Sequence, residues 1–154
     1  MQDTLPIHFA PLQGYTEAIY RNAHDAFFGG VDTYYTPFVR LEKGNFRRRD
    51  VRGIEPENNG VPHLIPQLIA SSAEKAEVIL SLFIEKGYQE VDINLGCPFP
   101  LLAKRHNGSG ILPYPEEVKA LLSIVTRYPQ ISFSVKMRLG WEQPDECLAL
   151  APIL

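Results

Sequence analysis

The sequence predicts a parallel α/β fold. Two observations carry that prediction. Short β-branched and aromatic runs alternate with helical periodicities along the 154 residues, which is the pattern of strand-helix-strand units. The later strand runs also gather polar residues toward their C-terminal ends, where parallel sheets bind ligands.

The elements follow in order. Residues 7–11, IHFAP, form a short apolar run. Residues 16–30 read as a helix: Thr16 is the candidate cap, Ile19, Ala23 and Phe27 recur on one face, and Gly29 and Gly30 stop it. VDTYYTPF, 31–38, is β-branched and aromatic, hence a strand. Residues 40–60 read as a polar loop with one helical turn. HLIPQLIA, 63–70, is a third strand. Ser71 opens the next helix, with Glu74 completing a capping box. Its stripe is Ala76, Ile79, Leu80 and Phe83, and it ends at Gly87. EVDINLG, 90–96, is the fourth strand. Residues 115–129 make a helix with proline at its start and Val118, Leu121, Leu122 and Val125 on one face. ISFSVKMRLG, 131–140, is the fifth strand, and a further helix begins near residue 144.

Bulk numbers narrow the function. The chain is 45% hydrophobic and 21% charged, an ordinary globular composition. A net charge of −3 excludes a generically basic nucleic-acid binder, so any such contact is a local patch. Cys97 and Cys147 are too few for a disulfide framework or a metal pattern, and a reducing cytoplasmic setting is expected. The start, MQDTLPIHFAP, is too polar and short for a leader. No run of about 18 apolar residues exists to span a membrane.

Side chains alternate faces along a strand. Phe133, Val135 and Met137 share one face of the fifth strand; Ser134, Lys136 and Arg138 share the other. The fourth strand sets Asp92 and Asn94 on its polar face, and the third contributes Gln67. Taken singly, each is more often a local hydrogen-bond partner, a salt-bridged rim or, for Cys97, a small buried hydrophobe. Converging on consecutive strands, they need a common partner, and a planar polar ligand is the economical one.

These residues lie in motifs that resemble the tRNA-dihydrouridine synthases. They are APLQGYTEAIYR (10–21), PQLIA (66–70), DINLGCP (92–98), NGSGILP (107–113) and VKMRLGW (135–141), in the family's order and spacing. The resemblance implies a TIM (β/α)8 barrel, of which this chain would carry about the first five β/α units. The later strands and a helical RNA-binding domain would then be absent, and the chain alone inactive. It implies FMN as cofactor, NADPH as reductant and tRNA as substrate, with no membrane association. By motif, Pro11, Leu12 and Gln13 would lie against the flavin, and Gln67 and Lys136 would hydrogen-bond its ring. Cys97 would be the proton donor, and Asn94 and Arg138 would contact the target base; no metal site is expected. Leu12 stands where methionine is commoner, and Ala70 replaces a usual glycine.

The chemistry makes these residue types intelligible. Hydride delivery to one carbon of a uracil double bond requires protonation of the adjacent carbon. A free thiol, with an ordinary pKa of about 8.5, is still mostly protonated at neutral pH. Gly96 is read as permitting a tight turn, and Pro98 as stiffening its exit. Lys136 would stabilise the anionic reduced ring. Cys147 is read as packing, His8, His24 and His63 as structural, and residues 104–112 as a mobile substrate-side loop in which His106 is an RNA-contact candidate. Arg47, Arg48, Arg49 and Arg52 form a basic run suited to a solvated loop or, with tRNA, to phosphates. Five strands leave an open barrel edge, where self-association is expected. Two other readings remain: an FMN oxidoreductase of free pyrimidines, of the dihydroorotate dehydrogenase kind, and a non-catalytic barrel fragment.

Overall fold

Pro66 interrupts the third predicted strand, because it has no N–H to give to a ladder. In the computed structural model, which describes residues 5–154, this one residue separates two three-stranded parallel sheets. Residues 1–4, part of the start read above as no leader, lie outside the described region. The first sheet has the order β1 (His8–Phe9), β2 (Thr33–Tyr35), β5 (Leu64–Ile65), and the second β6 (Gln67–Leu68), β7 (Glu90–Leu95), β8 (Ser132–Met137). Every pairing within both is parallel. Across the break, the Pro66 carbonyl accepts the Asp92 N–H at 3.0 Å, and the Gln67 N–H turns to the Thr36 hydroxyl at 3.0 Å.

Helices connect the parallel strands: α1 (Ala18–Phe27) follows β1, α3 (Ala73–Glu85) follows β6, and α5 (Pro115–Arg127) follows β7. The segment predicted as a polar loop is more ordered than expected. It holds an antiparallel hairpin, β3 (Leu41–Glu42) and β4 (Asn45–Phe46), then α2 (Arg48–Ile54) and a 3-10 turn at Pro56–Asn58. Arg48, Arg49 and Arg52 of the basic run therefore lie on a helix, with Arg47 at its N-cap. Arg49 pairs with Glu17 at 3.6 Å and Arg47 reaches Glu42 at 4.0 Å. After β7 come α4 (Pro100–Ala103) and a 3-10 turn at Gly108–Ile111; α6 (Glu146–Leu150) follows β8.

The core lies between the second sheet and α3 and α5. Leu68, Ile79, Leu80, Phe83, Ile93, Leu95, Leu121 and Ile124 are all fully buried there. The α3 stripe is the predicted one. Its cap is Ser72 rather than Ser71, with Ser72 Oγ accepting the Lys75 N–H at 3.4 Å, while Ser71 Oγ accepts Lys75 Nζ at 2.8 Å. On α5 the buried face is Val118, Leu121 and Ile124, and Val125 is exposed.

Helix α1 departs most from expectation. Its predicted apolar stripe faces outward: Ile19 is 83% and Phe27 84% exposed, while the buried residue is Arg21. Arg21 donates to the carbonyls of Thr16 at 2.6 Å and Gly53 at 2.8 Å and to the Asn59 side chain. Burial pushes its pKa down to about 10. Thr16 does not cap this helix. Its hydroxyl instead accepts the Leu12 N–H at 2.9 Å, closing the turn that carries Leu12 and Gln13.

Candidate functional site

The site starts from strand register. Gln67 lies opposite Asp92, Asp92 opposite Ser134, and Asn94 opposite Lys136. Because alternate residues share a face, these side chains form two adjacent rows near the C-terminal ends of β6, β7 and β8. Gln67, Asp92 and Asn94 are 1%, 2% and 7% exposed, so each must find its partners inside the protein.

They find one another. Ser134 Oγ donates to Asp92 Oδ1 at 2.6 Å and Gln67 Nε2 to Asp92 Oδ2 at 2.6 Å. Asn94 Nδ2 donates to Gln67 Oε1 at 2.8 Å. Asn94 Oδ1 then accepts the backbone N–H of Gly96 at 3.1 Å and of Cys97 at 2.9 Å. A hydrogen-bonded line thus runs from β8 across β7 and β6 and ends on the backbone of the cysteine turn. Burial raises the Asp92 pKa, while the Ser134 and Gln67 bonds and the Lys136 charge pull it down.

Cys97 is half-buried at the end of β7. The following segment holds it from the other side: the Ser109 N–H and Oγ both donate to the Cys97 carbonyl, each at 3.0 Å. Residues 108–111, read from sequence as part of a mobile loop, are buried and form a 3-10 turn. The neighbouring His106 is pinned as well, bonded to Glu117 at 2.7 Å and stacked on Tyr114 with ring centroids 4.1 Å apart.

The turn's demand for glycine also falls elsewhere than expected. A Cβ at Gly96 would meet only ordinary contacts at 3.5 Å. At Gly108, with φ +59°, a Cβ would lie 2.6 Å from the Cys97 carbonyl oxygen, and at Gly110 it would overlap the Ala103 backbone. Glycine is required where the second segment presses against the cysteine turn, because only a residue without Cβ fits there.

Beside the polar line, between β1 and β8, lies a cleft of about 270 Å³ lined by His8, Pro11, Tyr35, Asp92, Ser134 and Lys136 among others. Lys136 is exposed toward solvent. Burial, together with the nearby Asp92 and Glu90, pushes the Tyr35 phenol up, and its hydroxyl bonds His8 Nδ1 at 3.0 Å. Both polar atoms of the Gln13 carboxamide are buried without a partner among the described residues. An orphaned amide two residues past Pro11 suits a planar ligand with its own donors and acceptors, so these residues fit a flavin ring.

Of the residues singled out from sequence, the structure joins Gln67, Asn94 and Cys97 by hydrogen bonds and sets Pro11 and Lys136 on one cleft. Leu12 is 58% exposed, and the exposed Arg138 stands just past β8; neither joins the network. Sequence reasoning missed Ser109 and Tyr35. The glycines flanking Ser109 in NGSG were the available signal, since two glycines around one serine mark a close backbone approach. Cys147 is half-buried, its thiol donating to the Pro144 carbonyl at 3.1 Å. Among the described residues no helix is long and apolar enough to cross a membrane.

A tRNA-dihydrouridine(16) synthase of Pseudomonas putida is 30% identical over 159 residues, covering 97% of this chain and 49% of the relative. A probable tRNA-dihydrouridine synthase 1 of Synechocystis sp. is 28% identical, covering 88% of this chain and 38% of its own. A tRNA-dihydrouridine synthase B of Klebsiella pneumoniae is 31% identical over a shorter stretch, 56% of this chain and 27% of the relative. The chain spans no more than about half the length of these curated relatives. Residues 8–154 match the family described as Dihydrouridine synthase (Dus). A match that runs from the start of β1 through α6 covers the whole described α/β fold, and the chain belongs to the dihydrouridine synthase family.

Proposed function

We propose that this chain is the flavin-binding part of a cytoplasmic enzyme that reduces uridines in tRNA to 5,6-dihydrouridine, with NADPH as reductant and FMN as cofactor, within a TIM barrel. The single observation that carries the reading is the hydrogen-bonded line from Ser134 through Asp92, Gln67 and Asn94 to the Cys97 backbone. Such a line fixes the backbone of one cysteine at the C-terminal end of a parallel strand, where this architecture does its chemistry.

FMN, when bound and reduced by NADPH, would supply a hydride to one carbon of the uracil 5,6 double bond. In this reading Pro11, Leu12, Gln13 and Lys136 hold its ring, and the unpartnered Gln13 amide gains the hydrogen bonds it lacks. Gln67 keeps one amide hydrogen for the ring and orients Asn94 with its oxygen. Asn94 and Arg138 contact the target base. Cys97 Sγ gives its proton to the adjacent uracil carbon, forming the C–H bond and leaving a thiolate that solvent reprotonates. Asn94 and Ser109 fix where that proton is held, because they bind the Cys97 N–H and carbonyl.

The test is Cys97→Ala in the full-length protein at pH 7. Flavin absorbance and NADPH oxidation should persist, while dihydrouridine formed in an unmodified tRNA transcript should fall by about 10²- to 10⁴-fold, the usual worth of a positioned general acid. Product formation within a few-fold of wild type would remove Cys97 from the acid role. No dihydrouridine from the wild-type protein would overturn the whole reading.

A further inference from the structure

On the far side of the cysteine turn is a second, larger cleft of about 530 Å³. The β3–β4 hairpin forms one wall, the segment after Cys97 forms the other, and the residues following β6 lie between them. We propose that this cleft binds the single-stranded RNA flanking the target nucleotide, with backbone phosphates on Arg40, Lys43, Lys75 and Arg105 and a base on Phe99. The proposal rests on the tRNA reading above and adds to it a place on the protein.

Charge is the first argument. Four cations line the cleft against one carboxylate, Glu42, in a chain whose net charge is −3. Glu42 is engaged by Arg40 and lies 4.0 Å from Arg47. Among the described residues, Lys43, Lys75 and Arg105 form no ion pair. Arg40 Nε is buried without a hydrogen-bond partner, and a buried donor of that kind is costly to leave unmet. A polyanion answers both features, since phosphates neutralise such cations and release their counterions.

The apolar part is the second argument. Phe99 and Leu101 line the same cleft and are 51% and 65% exposed. A basic groove with an exposed aromatic ring matches how proteins hold single strands, with phosphates tracked by cations and bases stacked on rings. A duplex would leave the ring without a free base face. Position is the third argument: Phe99 is two residues beyond Cys97, so a strand seated here is continuous with a nucleotide at the thiol.

The experiment uses the 154-residue chain and a fluorescein-labelled single-stranded 12-mer RNA, titrated across a series of salt concentrations. Lys75→Gln with Arg105→Gln should weaken binding about ten-fold or more. It should also flatten the log–log salt slope by about 1.4, as each phosphate contact on a single strand contributes about 0.7. Phe99→Ala should weaken binding about five-fold or more with the slope unchanged. Arg48→Gln with Arg52→Gln, on α2 outside the cleft, is the comparison and should lose less. Thermal unfolding checks that each variant is folded. If all variants bind as wild type does, or the α2 pair loses as much as the cleft pair, the cleft is overturned while tRNA reduction stands. A wild-type chain without RNA affinity also overturns it. The tRNA reading itself is decided separately by the product assay.

Discussion

Asp92 shows how one residue ties the site to stability. Its carboxyl titrates above the ordinary aspartate value because it is buried, and the hydrogen bonds from Ser134 and Gln67 and the charge of Lys136 offset part of that burial. Between its unfolded pKa and the raised folded one, the folded chain binds more protons than the unfolded chain. Asp92 alone therefore lowers stability as pH rises through that window, and its full cost is present only above the raised folded pKa. A buried carboxyl kept at such a cost is consistent with the orienting work it does for Gln67. Ser134→Ala removes one of the bonds that favour the charged form. The Asp92 pKa should then rise further, and a carboxyl-carbon NMR titration reads it directly. An unchanged or lower value would mean that Ser134 does not support the carboxylate. Lys136 and Asn94 were legible as polar-face residues from alternation alone. The hydrogen-bond partners of Asn94 were not, because alternation assigns a face and says nothing of which neighbour a side chain reaches.

At the scale of elements, two helices with similar sequence patterns behave in opposite ways. Helix α3 buries Ile79, Leu80 and Phe83 completely, while α1 leaves Ile19, Phe27 and Phe28 facing out. Periodicity identifies an apolar face, but only packing decides whether something covers it. In the 154-residue chain, Phe83→Ala should cost about 3–5 kcal/mol by cavity formation. In the chain kept dilute enough to stay monomeric, Phe27→Ala should fall within about 0.5 kcal/mol of wild type, as uncovered surface changes do. Urea denaturation followed by circular dichroism measures both. Comparable losses would mean that Phe27 is covered in solution. The hairpin β3–β4 was missed, and α2 was read as no more than one helical turn, for a related reason. Each is two to seven residues long, too short for a period to emerge from polar composition, and tertiary contacts such as Arg49 with Glu17 help to hold them.

Across the whole molecule, the two sheets begin at β1 and end at β8, and among the described residues each of these strands pairs on one side only. Unpaired edge groups are a template for association. The outward face of α1 adds Ile19, Tyr20, Phe27 and Phe28 as exposed apolar surface close in sequence to that edge, and large uncovered patches mark interaction surfaces. The 154-residue chain on its own should therefore self-associate in a concentration-dependent way. Sizing chromatography with in-line light scattering should show mass rising above 17.4 kDa at tens of micromolar. A monodisperse monomer across the whole concentration range would show that the edges are protected.

By itself, the sequence determined the parallel α/β class, the helix stripe of α3, the strand that carries Asp92 and Asn94, and the cysteine at its end. These depend on local period and on residue type, which the chain states position by position. The tertiary structure alone decided that Pro66 splits one strand between two sheets, that Arg21 rather than Ile19 is buried on α1, and that Asn94 and Ser109 grip Cys97 from opposite sides. It also moved the need for glycine from Gly96 to Gly108 and Gly110. Ser109 lies twelve positions after Cys97. Contacts across such distances depend on how the elements pack, and no local pattern records them.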